Sequence, residues 1–296
     1  GSGKTHVLRS LSLMDVANSD NKERIEEYWT KNNFIGCYIK MDSNLVSSFK
    51  DKGLTDDEWK EIFAHFINLR LTQEILKALK IVNEHDWCNW DYKLAFDRLS
   101  EILCPCENIL DFEDAINKIK KNIDAVLRFT NNPQNSPRPQ VIINGLLIFE
   151  LCTTLINTFN FPRKTFFILI DEFESLHTYQ QIIINTLVKK NEPPVIFKLA
   201  MRPNGWFTRE TSSPNEILQE PADFDEINFE NISNQDYEKL IKEIYHLRFS
   251  VLNLDIDIEK IFPQLPPEQE AAELFKNRKP KHTEKINKLL HERYPS

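Results

Sequence analysis

Gly1-Ser2-Gly3-Lys4-Thr5 opens the chain. Its last three residues match the end of the phosphate-binding loop G-x-x-x-x-G-K-[ST], the Walker A motif. Glycines let backbone amides approach the phosphates, the lysine reaches the terminal phosphates, and the hydroxyl serves Mg²⁺. The first glycine of the motif would fall two residues before Gly1. This reading therefore implies a fragment cut inside its own site, and the lack of an initiator Met agrees. The competing reading is a Gly-Ser remnant of cloning.

The second decisive stretch is Thr165-Phe166-Phe167-Ile168-Leu169-Ile170-Asp171-Glu172. An apolar run with aromatic and β-branched residues predicts a fully buried strand. Its two acids then stand at the carboxyl end, where open α/β sheets bind ligands. Asp171 is expected to hold Mg²⁺ and Glu172 to polarise an attacking water, a Walker B pair. Phosphoryl transfer depends on positioning and charge rather than on covalent help from the protein. A strand followed by a solvated acidic turn, Asp171-Glu172-Phe173-Glu174, is the plainer alternative.

Composition fits a globular chain. The 296 residues are 41% hydrophobic and 28% charged, room for one large domain or two small ones. Only six glycines occur, which favours helices over tight turns. No apolar run reaches the about 18 residues of a membrane span. Cys37, Cys88, Cys104, Cys106 and Cys152 form no zinc-ligand spacing, so free thiols in a cytoplasmic protein are expected. A net charge of −8 argues against bulk electrostatic binding of nucleic acid. The basic run Lys276-Asn277-Arg278-Lys279-Pro280-Lys281-His282 reads as a solvated face.

Along the chain, His6–Met14 reads as the helix after the phosphate loop, with Val7, Leu8, Leu11 and Met14 inward and its first amides toward the phosphates. Asn18 to Asp20 is a loop. Phe34–Met41 reads as a buried strand. Helices are predicted over 57–82, 91–103, 112–129 and 144–159, the first amphipathic. Thr130 to Pro139 is an Asn/Pro-rich loop. A helix through Gln180, Ile183, Ile184, Leu187 and Val188 follows the Asp-Glu strand. Val195–Met201 is a third strand and 226–229 a short fourth. Strands alternating with helices predict a parallel sheet covered on both faces.

This order resembles an AAA+ P-loop ATPase. Within that superfamily, Phe167 to Leu176 with Gln180-Gln181 and Asn185-Thr186-Leu187, and Phe197 to Gly205, resemble bacterial origin-recognition (ORC-like) ATPases. The resemblance implies an α/β P-loop NTPase core over residues 1–232, with a long helical insertion at about 50–140. It also implies a helical lid over 233–296, incomplete here. It implies ATP and Mg²⁺ as ligands, bound through Gly1, Ser2, Gly3, Lys4 and Thr5, with Thr5 and Asp171 serving the metal. Glu172 becomes the catalytic base. Arg202 falls where such proteins place a polar γ-phosphate sensor, with Asn204 beside it. An Arg there departs from the usual Asn, Ser or Thr, yet a guanidinium can grip phosphate oxygens bidentately. Arg209 falls where an arginine finger acts on a neighbouring subunit, although a surface residue beside Glu210 is the plainer reading. Arg248 is a possible lid arginine.

The resemblance also implies ATP hydrolysis in a homo-oligomer acting on DNA or a partner protein, by analogy in phage defence. A nucleotide-dependent switch or scaffold gating an effector domain is the alternative. A helical interaction module built on 50–140 is a third, disfavoured by Asp171-Glu172. His177 reads as structural, and Trp87, Trp90 and Phe96 as helix packing rather than a base-stacking platform. A fragment lacking the strand that feeds the phosphate loop would leave ladder groups unpaired and bind nucleotide poorly.

Overall fold

A computed structural model describes residues 3–18, 21–104, 107–158, 160–191 and 193–228, with 239, 242 and 243. All but the last three lie in one compact unit, Gly1–Phe229. The expected lid with Arg248, the run 276–282, and residues Gly1, Ser2, Cys106 and Phe229 fall outside the described residues.

The unit is built on three parallel strands: β1 (Phe34–Lys40), β2 (Thr165–Asp171) and β3 (Val195–Leu199), in spatial order β1-β2-β3. Phe34 pairs with Thr165 and Lys40 with Asp171, while Phe166 pairs with Val195. Around them lie α1 (Lys4–Leu11), α2 (Leu13–Ala17), α3 (Lys22–Lys31), α4 (Ser43–Val46), α5 (Asp56–Glu84), α6 (Lys93–Leu103), α7 (Phe112–Asn131), α8 (Leu146–Ile156) and α9 (Thr178–Lys189). This is an α/β sheet flanked by helices, as expected.

Side chains alternate across a strand, so each strand feeds two faces. One face carries Ile35, Cys37, Ile39, Phe166, Ile168, Ile170, Val195 and Phe197, all buried in the main core with α5, α8 and α9. The other face carries Phe34, Tyr38, Lys40, Thr165, Phe167, Asp171, Ile196 and Lys198. Among the described residues, part of it is covered: Leu8 of α1 packs with Leu169 and Ala200, flanked by Leu11, Tyr38 and Phe167.

Gly36 makes that covering possible. A Cβ there would stand 1.9 Å from the Leu11 carbonyl oxygen. The Tyr28 hydroxyl sits in the same joint, donating to Leu11 O at 2.8 Å and accepting from Gly36 N at 2.9 Å. Glycine is thus required by close backbone approach.

The stretch 50–140 is not an appendage. Helix α5 begins with a capping box, Thr55 bonded reciprocally to Glu58, and then packs on β1 and α7. Its middle, residues 62–69, is buried all round, while half-exposed Arg70, Glu74, Lys77 and Lys80 keep a polar stripe beyond it. One of its buried polar residues ties it to the start of α8: Asn68 donates to Ile143 O at 2.9 Å and accepts from Gly145 N at 2.7 Å.

Other expectations need correction. The helix after the loop breaks at Ser12, whose extended backbone ends α1 and whose hydroxyl accepts from Asp15 N to start α2. Val7 is exposed, and the residues that turn inward are Leu8, Leu13 and Val16. Helix α8 starts at Leu146, after Gly145 takes a left-handed conformation. Strand β3 ends at Leu199. Residues 226–228 form no strand. Trp90 and Phe96 are core aromatics, and Trp87 stacks on Trp29 at 4.8 Å, as the packing reading required.

Candidate functional site

The site lies at the carboxyl ends of β1 and β2, beneath the start of α1. Gly3 is the helix N-cap, with φ 76°. A Cβ on Gly3 would meet nothing within 4 Å, so conformation and not space demands glycine there. Among the described residues no side chain caps α1. The first amides of a helix lack intrahelical partners and carry the positive end of its dipole, which suits an anion. Lys4 and Thr5 occupy the first turn.

Thr5 and Asp171 are 166 residues apart, yet Thr5 Oγ1 donates to Asp171 Oδ2 at 2.8 Å. Asp171 is 4% exposed. Two further donors hold it: the Tyr38 hydroxyl reaches Oδ2 at 3.0 Å, and Glu172 N reaches Oδ1 at 2.9 Å. Burial, with Asp171 alongside, pushes the Tyr38 phenol well above its ordinary range. Tyr38 therefore remains a donor.

Glu172 follows in the left-handed region, φ 55° and ψ 41°, uncommon for a side-chain-bearing residue. The turn is fixed by Phe173 N donating to Ala200 O at 3.1 Å and Ser175 N to Glu172 O at 2.9 Å. Backbone held in such a region clusters at functional sites. The Glu172 carboxylate pairs with Lys40 Nζ at 2.9 Å, and the pair raises the lysine pKa. Both side chains are substantially solvated, so the pair is a loose restraint.

Arg202 follows β3 but turns to Glu174, Nε to Oε1 at 3.2 Å, and is highly exposed. Arg209 is exposed as well, its guanidinium carbon 5.4 Å from the Trp206 ring and 4.9 Å from that of Phe224. The loop carrying both is pinned to α9. Gln181 donates to Gly205 O at 2.8 Å and accepts from Phe207 N at 2.8 Å. Asn185 donates to Thr208 O and Glu210 O, and accepts from Trp206 Nε1 at 3.1 Å. Thr186 accepts from Ser212 N at 2.8 Å. His177 is the N-cap of α9 and belongs to its frame.

The residues brought together are thus Gly3, Lys4, Thr5, Asp171 and Glu172, while Arg202 and Arg209 sit on the adjoining loop. Tyr38 and Lys40 escaped the sequence reading. Their signal was weak: two polar residues at alternate positions near the end of an apolar strand.

The oxygen set suits a hard cation shared with a phosphate. Mg²⁺ takes few protein ligands and relies on water and phosphate oxygens. Among the described residues no group of three or more His, Cys, Asp or Glu forms a self-sufficient metal cage. One hydroxyl and one carboxylate at an uncapped helix start fit a nucleotide-borne ion instead.

A parallel sheet, a Gly-Lys-Thr helix start and a strand-end aspartate bonded to that threonine define a P-loop NTPase fold. More narrowly, the chain belongs to the ORC-CDC6-like family, whose model matches residues 1–294. It is an ORC-like member of the AAA+ ATPases. No curated protein and no solved structure matches the chain. No described helix is long and apolar enough to cross a membrane.

Proposed function

We propose that the protein binds ATP with Mg²⁺ at the α1 start and hydrolyses it. The observation that carries this is the 2.8 Å hydrogen bond between Thr5 and Asp171. Two stretches far apart in sequence meet with the chemistry each was expected to bring. Gly1, Ser2 and Gly3 supply backbone amides, Lys4 the charge on the outer phosphates, and Thr5 and Asp171 the metal's protein oxygens. When bound, the ion neutralises charge that develops on the phosphates. Glu172 orients and deprotonates the attacking water once it is free of Lys40. Arg202, exchanging Glu174 for a phosphate, acts as sensor. Arg209 serves the site of a second copy in a homo-oligomer. The protein works in the cytoplasm on DNA or a partner protein, with phage defence as one setting.

A second reading has an observation in its favour. The Glu172 carboxylate is paired with Lys40 rather than free, which favours, weakly for so solvated a pair, a slow switch gating an effector.

The test is steady-state ATP hydrolysis by the protein and by Lys4→Ala and Glu172→Gln, with and without DNA. Loss of turnover in both variants upholds the ATPase. Binding that depends on Lys4 without turnover selects the switch. No binding by the unsubstituted protein overturns both.

A further inference from the structure

Asp171 has three hydrogen-bond donors, and they differ in what else they must do. Thr5 belongs to the phosphate loop, and its oxygen is spoken for once a phosphate-borne cation arrives. Glu172 N is fixed backbone. Tyr38 is the third, and nothing in the nucleotide chemistry engages it. It stands on β1, opposite Leu169 in the register, and reaches diagonally to the Asp171 carboxylate at 3.0 Å. Its ring lies at the edge of the Leu8, Leu169 and Ala200 cluster, so α1 packing sets the direction of the hydroxyl.

We propose that Tyr38 is a positioning residue for the metal-binding carboxylate. Its hydroxyl keeps Oδ2 of Asp171 aimed while Thr5 turns its oxygen to the cation. This rests on the ATP–Mg²⁺ reading of the same site. A carboxylate that serves a metal is typically held by such outer donors. Without Tyr38, Oδ2 keeps only the Thr5 hydroxyl as a donor, and loses that too once Thr5 turns to the cation. The carboxylate then spends part of its time turned away, and the ion sees a weaker site. The effect falls on metal affinity, because the hydroxyl of Tyr38 is engaged with the Asp171 carboxylate.

The experiment is fluorescence titration of Mg²⁺ into the protein holding a fluorescent ATP analogue, for the unsubstituted protein, Tyr38→Phe and Lys4→Ala. Melting curves without nucleotide run alongside. Phenylalanine keeps the ring and its packing. Tyr38→Phe should raise the Mg²⁺ half-saturation point about 10-fold, the lower end for loss of an outer donor. Analogue affinity measured in EDTA should stay within about twofold, and the melting midpoint should barely move. An unchanged Mg²⁺ midpoint in Tyr38→Phe overturns the proposal, as does an equal loss in EDTA, which would mean general disruption of the site. Failure of the underlying reading is distinct: the unsubstituted protein would then bind no analogue, or bind it as well after Lys4→Ala.

Discussion

The two faces of the same three strands have divided the work. One presents Ile35, Cys37, Ile39, Phe166, Ile168 and Ile170 to the helices and is sealed. The other ends in Tyr38, Lys40 and Asp171 and, among the described residues, is partly covered by α1. A parallel sheet is normally buried on both sides. Here the side that the described residues cover less is where Tyr38, Lys40 and Asp171 emerge. Stability comes mainly from one face and the candidate site lies on the other, and substitutions should separate accordingly.

The largest separation is expected between Lys4→Ala and Ile168→Ala. The first should lower ATP turnover about 100-fold while shifting stability by no more than about 0.5 kcal/mol. The second removes a fully buried side chain and should cost about 2–5 kcal/mol in denaturant unfolding, with turnover per folded molecule little changed. If Ile168→Ala instead abolished turnover in the folded protein, the division would fail.

Gly36→Ala should break the comparison on purpose. Its Cβ meets the Leu11 carbonyl, which must retreat and carry α1 with it. Both readouts should fall together, stability by about 1–3 kcal/mol and nucleotide affinity with it. Normal affinity would mean that α1 is not seated by this contact.

Much of this plan was legible in residues 3–5 and 165–172, where short-range patterns mark the residues that the fold brings together. The run Phe166–Ile170 is apolar because both neighbouring strands and helices cover it. Helix α3 was not read, since Lys22–Lys31 is mostly charged and buries only Ile25 and Tyr28. The break at Ser12 depends on one capping hydroxyl in an otherwise helical run. Tyr38 and Lys40 acquire meaning only through the β1–β2 register, which no local pattern encodes. The same is true of Arg209, whose aromatic neighbours lie three residues before it and fifteen after.

A smaller effect tests the sealed side by pH. His65 in α5 is buried, its Nδ1 is unpartnered, and burial pulls its pKa down to about 4. The folded protein therefore prefers neutral His65, while the unfolded chain protonates near pH 6.5. This group costs nothing above about pH 6.5. Stability falls as pH drops from there toward 4 and levels below it, a loss of up to about 3 kcal/mol. Unfolding of His65→Leu should lack that limb, and identical pH profiles would contradict it. Smallest of all, Arg209→Ala should cost under about 1 kcal/mol, since its ring contacts are solvated. A larger loss would make the arginine a structural strut.

The ladder of polar side chains on α9 has a mechanical consequence. Gln181, Asn185 and Thr186 grip successive carbonyls and amides of residues 205–212, as teeth of a rack engage a bar. The bar cannot drift by itself; it travels with the helix. The helix starts just past Glu172, so a tilt begun at the acidic strand end would arrive at Trp206 and Arg209 as a displacement of the same rigid piece. An exposed segment so meshed would exchange its amide protons slowly, at the pace of the helix behind it.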